Sequence, residues 1–174
     1  ELPRTNTIKE TYDFILNDLK ESIADLPVTH GSQQGILTQG AVYALIAEIA
    51  LQGAAYIENG QEEYYSIAKK ASEDLFSLNQ YELDANYEKM FNEFDYAMGS
   101  KEIILADQRL ESVFGLGVIG QMYNNDDAGW SSIVPTQNLV DMYEMDNGLT
   151  KEEATGYYDA KHPFANRDPR MDMT

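Results

Sequence analysis

Between Thr7 and Pro27 the apolar residues Ile8, Tyr12, Ile15, Leu19, Ile23 and Leu26 recur at spacings of three and four. That period lines one face of an α-helix and no single face of a strand, so the segment must fold as a helix that buries a stripe. Thr7 and Glu10 form a Thr-x-x-Glu capping box at its start, and Leu26-Pro27 stops it. A polar run from Thr29 to Gly35 reads as a turn. A second helix is expected from about Thr38 to Ile57, rich in alanine, with Leu45, Ile46, Ile49, Tyr56 and Ile57 apolar. Asn59-Gly60 is expected to close it as a left-handed C-cap. A third helix follows from about Glu62 to Phe76, with Tyr65, Ala68, Ala71, Ser72 and Leu75 on its small and apolar side. The second and third segments pair as an antiparallel hairpin. Gly53, Tyr56, Ala68 and Ala71 match part of a tetratricopeptide pattern, and an ordinary α-hairpin packing small residues explains the spacing equally well.

Beyond Tyr81 the pattern loosens. Tyr87 to Phe94 reads as a short amphipathic helix and Glu102 to Gln108 as a strand. Between Gly115 and Gly129 lie four glycines and the cluster Asn124-Asn125-Asp126-Asp127, which reads as a long surface loop. Pro135 to Gly148 reads as a helix with a start and a stop. Thr136 caps it, Leu139, Val140 and Tyr143 form its stripe, and Asn147-Gly148 turns the chain. In Asn166-Arg167-Asp168-Pro169-Arg170, two guanidinium groups flank an Asp and a rigid Pro, which suits a buried fork-like salt bridge. The fold expected is mostly α: helical hairpins over residues 1–99, then a loop-rich segment over 100–174 within the same domain. That segment holds short helices and at most one or two short strands.

Charge removes several functions. A net charge of −18 repels nucleic acid, whose binding relies on clustered Lys and Arg, and disfavours an anionic membrane surface. Neutral ligands, peptides and cations remain open. With no cysteine, and with His30 and His162 far apart, neither a disulfide nor a Cys- or His-based metal site is expected. No apolar run approaches the roughly 20 residues that a membrane span needs. Serine-nucleophile, zinc-protease and phosphate-loop motifs are all missing, and Gly115, Gly117 and Gly120 precede no helix with the packing pattern of a dinucleotide site. A carboxylate pair of the glycosidase kind carries no weight among 30 Asp and Glu. No catalytic residue and no cofactor are expected.

One stretch suits a neutral sugar. Flat aromatic faces stack on pyranose C–H surfaces, while amide and carboxylate groups take the hydroxyls. Tyr123, Asn124, Asp126, Asp127 and Trp130 offer that mixture in one segment. Two plainer readings stand beside it: Trp130 packs under the Pro135 helix, and the Asn-Asp cluster is a solvated turn. The spacing does not fit an EF-hand calcium loop.

The helix from Ala41 to Ile57, Ser100-Lys101-Glu102-Ile103-Ile104, the Pro135–Gly148 signature and Asn166–Arg170, in that order, resemble the SusD/RagB family of outer-membrane nutrient-binding lipoproteins. The resemblance implies non-catalytic capture of a nutrient, a glycan above all, for uptake through a SusC-like TonB-dependent transporter. It also implies a surface-exposed, lipid-anchored protein whose signal, lipidated Cys and C-terminal continuation lie outside this chain. Arg167, Asp168 and Arg170 then have a structural role, locking the C-terminal segment. The competing class is a tetratricopeptide-type interaction module that presents a concave helical face to a peptide, and an acidic glycosidase comes third.

Overall fold

A computed structural model describes residues 7–29, 31, 35–107 and 117–173. Among these the protein is mostly α, with eight α-helices and no strand; the only β-type pairing described is an isolated bridge between Met145 and Arg167. The chain divides into two compact units. The first is Glu1–Ala85 with Asp95–Asp107, and the second is Asn86–Phe94 with Gln108–Thr174.

In the first unit α1 spans Ile8–Ser22, and the Thr7 hydroxyl accepts from the Glu10 N–H at 3.1 Å. A 3-10 turn, Ile23–Asp25, ends it, and Leu26 is already extended before Pro27, as the proline ring requires. The buried stripe is rotated from the one expected. Leu16 is its centre, flanked by Tyr12, Leu19, Ile23 and Leu26, while Ile8 faces solvent. α2 spans Gln39–Tyr56 with Thr38 as cap, and α3 spans Gln61–Ser77. Gly60, at φ +100°, caps the start of α3, so the left-handed glycine serves the second helix of the hairpin and not the end of the first. The turn expected over Thr29–Gly35 falls partly outside the described residues.

Small residues bring α2 and α3 together. Ala50, Ala54, Ala68 and Ala71 are buried, and a Cβ on Gly53 would lie 2.9 Å from the Tyr64 ring. Tyr64, not Tyr65, therefore enters the core. Its spacing to Ala68 and Ala71 puts all three on one face. Leu45 and Tyr56 of α2 remain exposed.

The helix expected over Tyr87–Phe94 is split. α4 is Lys89–Asn92 and α5 is Phe94–Gly99, with Glu93 extended between them. The strand expected at Glu102–Gln108 is not formed over 102–107, and Gln108 lies outside the described residues. What holds this region is polar. Asp84 accepts from the Tyr96 hydroxyl at 2.7 Å and the Ser100 hydroxyl at 2.6 Å, and the Glu102 carboxylate accepts from the Asp84 N–H at 2.7 Å.

The second unit contains α6, Gly117–Met122, a 3-10 turn at Asn125–Asp127, α7, Gln137–Met142, and α8, Pro169–Asp172. The glycine-rich stretch read as a loop is thus partly helical. Gly117 and Gly120 lie within α6 itself, which has only six residues, and Gly115 falls outside the described residues. No helix among the described residues is long and apolar enough to cross a membrane.

Candidate functional site

The segment after α6 folds back onto that helix. The N–H groups of Gly129, Trp130, Ser131 and Ser132 donate to the carbonyls of Asn124, Gly120, Tyr123 and Gln121 at 2.8–2.9 Å, and Ile133 also donates to Gln121. Carbonyls that a helix end leaves without partners are satisfied in this way, which lets a glycine-rich six-residue helix persist. The fit depends on Gly129, where a Cβ would sit 2.1 Å from the Tyr123 carbonyl oxygen. Ala128 and Ser131 adopt left-handed backbone at φ +62° and +48°. Each such non-glycine residue costs of order 1 kcal/mol, a strain the backbone ladder holds in place on both sides of Trp130.

The side chain this clamp presents is open to solvent. Trp130 is 64% exposed and Tyr123 55%. Trp130 therefore does not pack beneath α7. Asn124 and Asp126 are also exposed, and the side chain of Asp127 lies outside the described residues. Among the described residues no group of three His, Asp or Glu side chains is placed to hold a metal ion.

α7 begins as expected, with the Thr136 hydroxyl accepting from the Leu139 N–H at 3.3 Å. Its end is held by Arg167, which is only 6% exposed. One terminal nitrogen of this guanidinium donates to the carbonyls of Val140 at 2.8 Å and Tyr143 at 2.6 Å, and the other to Pro163 at 3.1 Å. Among the described residues the buried Arg167 Nε has no hydrogen-bond partner. Backbone bonds run beside the bridge, from Asp168 N to Glu144 O at 2.9 Å and from Asp146 N to Asn166 O at 3.0 Å.

The fork-like salt bridge exists, but not as a buried trio. Arg170 alone grips Asp168, with Nε 3.0 and 3.1 Å from the two carboxylate oxygens, and the Arg170 side chain is 61% exposed. Arg167 points away from the pair because its guanidinium is committed to α7 carbonyls. Asp168 also caps α8 by accepting from the Arg170 N–H at 2.9 Å. Arg170 holds the Asp168 carboxyl at about 2, below its ordinary 3.8. A lowered carboxyl pKa stabilises the fold above the ordinary value, and that contribution fades as pH falls through the folded one. Asp168→Asn, which keeps the cap acceptor, should lower the melting temperature at neutral pH, and the gap should shrink as pH is brought from about 4 towards 2. A gap unchanged over that range would show that the pair contributes nothing.

Tyr87 and Tyr143, which sequence spacing does not connect, border one cavity in the second unit. In the sequence Tyr143 reads as part of the Pro135 helix stripe and Tyr87 as the start of a separate short helix, with nothing to bring the two together.

The first unit is a helical scaffold, and the second is loop-rich and displays the exposed Trp130 and Tyr123 on a hydrogen-bonded backbone. The family model for the SusD family matches residues 79–174, more than half of the chain. The chain belongs to the SusD family. Its members are in general non-catalytic carbohydrate- or nutrient-binding proteins, typically associated with the outer membrane and with SusC-like transporters. The match takes in the whole second unit, while the α1–α3 scaffold lies before it. No curated protein and no solved structure matches the chain.

Proposed function

We propose that this protein captures a neutral glycan at the outer-membrane surface, without catalysis, and delivers it to a SusC-like TonB-dependent transporter, held in place by a lipid anchor on the full-length protein. The observation that carries the reading is the exposed Trp130, clamped by the backbone ladder and accompanied by the exposed Tyr123, Asn124 and Asp126. A backbone already held in place before binding matters because less conformational freedom is lost when the ring stacks. Family membership supplies the nutrient-binding context.

Trp130 is the only tryptophan, so its fluorescence reports one place. A neutral oligosaccharide should shift that signal saturably, with little dependence on salt because no formal charge is neutralised. Trp130→Ala, followed by calorimetry, should weaken binding by about 1–3 kcal/mol, the scale on which aromatic side chains stack on nucleic-acid bases. Binding unaffected by this substitution would remove Trp130 from the site.

A second reading, the peptide-binding interaction module, is favoured by a groove of about 510 Å³ along α1–α3, floored by Ile23, Tyr43, Ile46 and Ile67. Binding of a peptide that shifts resonances of these residues, in place of any sugar response at Trp130, would support it.

A further inference from the structure

α7 and the turn that follows it border an open cavity of about 320 Å³ within the second unit. That volume lies at the lower end of ordinary small-ligand pockets. Two kinds of surface meet there. Tyr87 and Tyr143 bring aromatic rings, with Leu139 and Met142 beside them. The Tyr87 ring is steadied by Phe91, with centroids 4.9 Å apart. Leu139 and Met142 are both exposed, so the apolar wall is open to an incoming group.

The charged part of the lining decides what that group can be. Asp168 and Arg170 neutralise each other, and the lowered carboxyl keeps the pair ionised through the physiological range. Glu144 is exposed, and among the described residues its carboxylate has no hydrogen-bond or ion-pair partner. The lining therefore carries about one net negative charge, from Glu144. An anionic ligand would meet that carboxylate without compensation. A cation would find only that single carboxylate, since Asp168 is already committed to Arg170. A neutral ring with hydroxyls on its rim and C–H groups on its faces conflicts with neither, and uses both the aromatic and the polar walls.

We propose that this cavity is a second sugar subsite, apart from Trp130, that takes one pyranose ring of a neutral oligosaccharide. Tyr87 and Tyr143 are its stacking walls and Glu144 accepts hydroxyl protons from the sugar. The ligand class rests on the glycan reading above; the place rests on the cavity.

Met142 gives a local probe that does not depend on Trp130. With isotope-labelled methionine methyl groups, and Met142→Leu to assign the signal, the protein is titrated with cellotetraose, xylotetraose and mannotetraose. Glycerol at matched hydroxyl concentration is the control. At least one tetrasaccharide should move the Met142 methyl saturably, in the wild type and in Trp130→Ala, while glycerol does not. Tyr87→Ala should weaken that titration roughly tenfold, the size of a lost aromatic contact. Glu144→Gln should weaken it to a smaller extent. An unchanged signal from the buried Met145 methyl verifies that each variant is folded. The subsite is overturned if Met142 is silent to all three sugars, if glycerol moves it equally, or if Tyr87→Ala changes nothing. A sugar that perturbs Trp130 but not Met142 removes this subsite and leaves the Trp130 reading standing, and silence at both residues removes both.

Discussion

Replacing Arg167 by alanine is expected to destabilise the second unit by about 3–5 kcal/mol, because three charge-assisted hydrogen bonds from a buried guanidinium to part-buried carbonyls go at once. The carbonyls of Val140, Tyr143 and Pro163 would be left to whatever water enters the vacated space. Arg167→Lys should recover only a minor part. A single ammonium is a point donor, whereas the planar guanidinium spans acceptors on two separate segments with two nitrogens. Trp130 sits in the same unit, so its fluorescence during denaturant unfolding measures the loss directly. A midpoint within experimental error of wild type would show that the α7 end is held by something else.

The contacts of Arg167 also mark where sequence reading stops. That it takes part in a structural cluster is readable from two arginines around Asp168-Pro169. Its partners are not, because they are backbone carbonyls 24 and 27 residues earlier, and carbonyls carry no sequence signature. Helix starts behave in the opposite way. The Thr7 and Thr136 caps act over three residues, and each is visible in the chain and formed in the fold.

Intermediate cases fail for identifiable reasons. Ile103-Ile104-Leu105 is apolar enough for a strand, but a strand needs a partner edge, and Asp84 organises this region through side chains instead. The stretch 115–129 is too rich in glycine to be helical by propensity alone. A short helix forms there because the N–H groups of Trp130, Ser132 and Ile133 satisfy its Gly120 and Gln121 carbonyls, and that return path is invisible in local composition. In the candidate site the residue types were readable. The exposure of Trp130 was not, since it depends on that same clamp.

Tyr64 and Tyr65 are the finest instance, two identical neighbours about 100° apart on one helix. The notch at Gly53, with Tyr12 and Asp13 beside it, chooses between them. Tyr64 is fully buried, its ring edge-on to Tyr12 at 6.4 Å and its hydroxyl donating to Asp13 at 2.6 Å. Tyr64→Ala should therefore cost about 3–5 kcal/mol, as for other large aromatic truncations in a core, read as loss of helical circular dichroism in denaturant. Tyr65→Ala should cost far less, because that ring is half-exposed. Tyr64→Phe separates the ring from the hydroxyl. A hydrogen bond to a charged group contributes about 1.5–3 kcal/mol, and the solvent exposure of Asp13 reduces this to about 1 kcal/mol here. Burial, and then Asp13, push the Tyr64 hydroxyl well above its ordinary range, so it stays a donor throughout. Asp13 is lowered from 3.8 by Lys9 and then by Tyr64. Its share of stability is thus present above that value and lost as pH falls through the lower folded one. The gap between Tyr64→Phe and wild type should narrow on acidification below about pH 4. A gap that instead widened would mean that the hydroxyl is not held by the ionised carboxylate, and the anchor between α1 and α3 would have to be sought in the ring contacts alone.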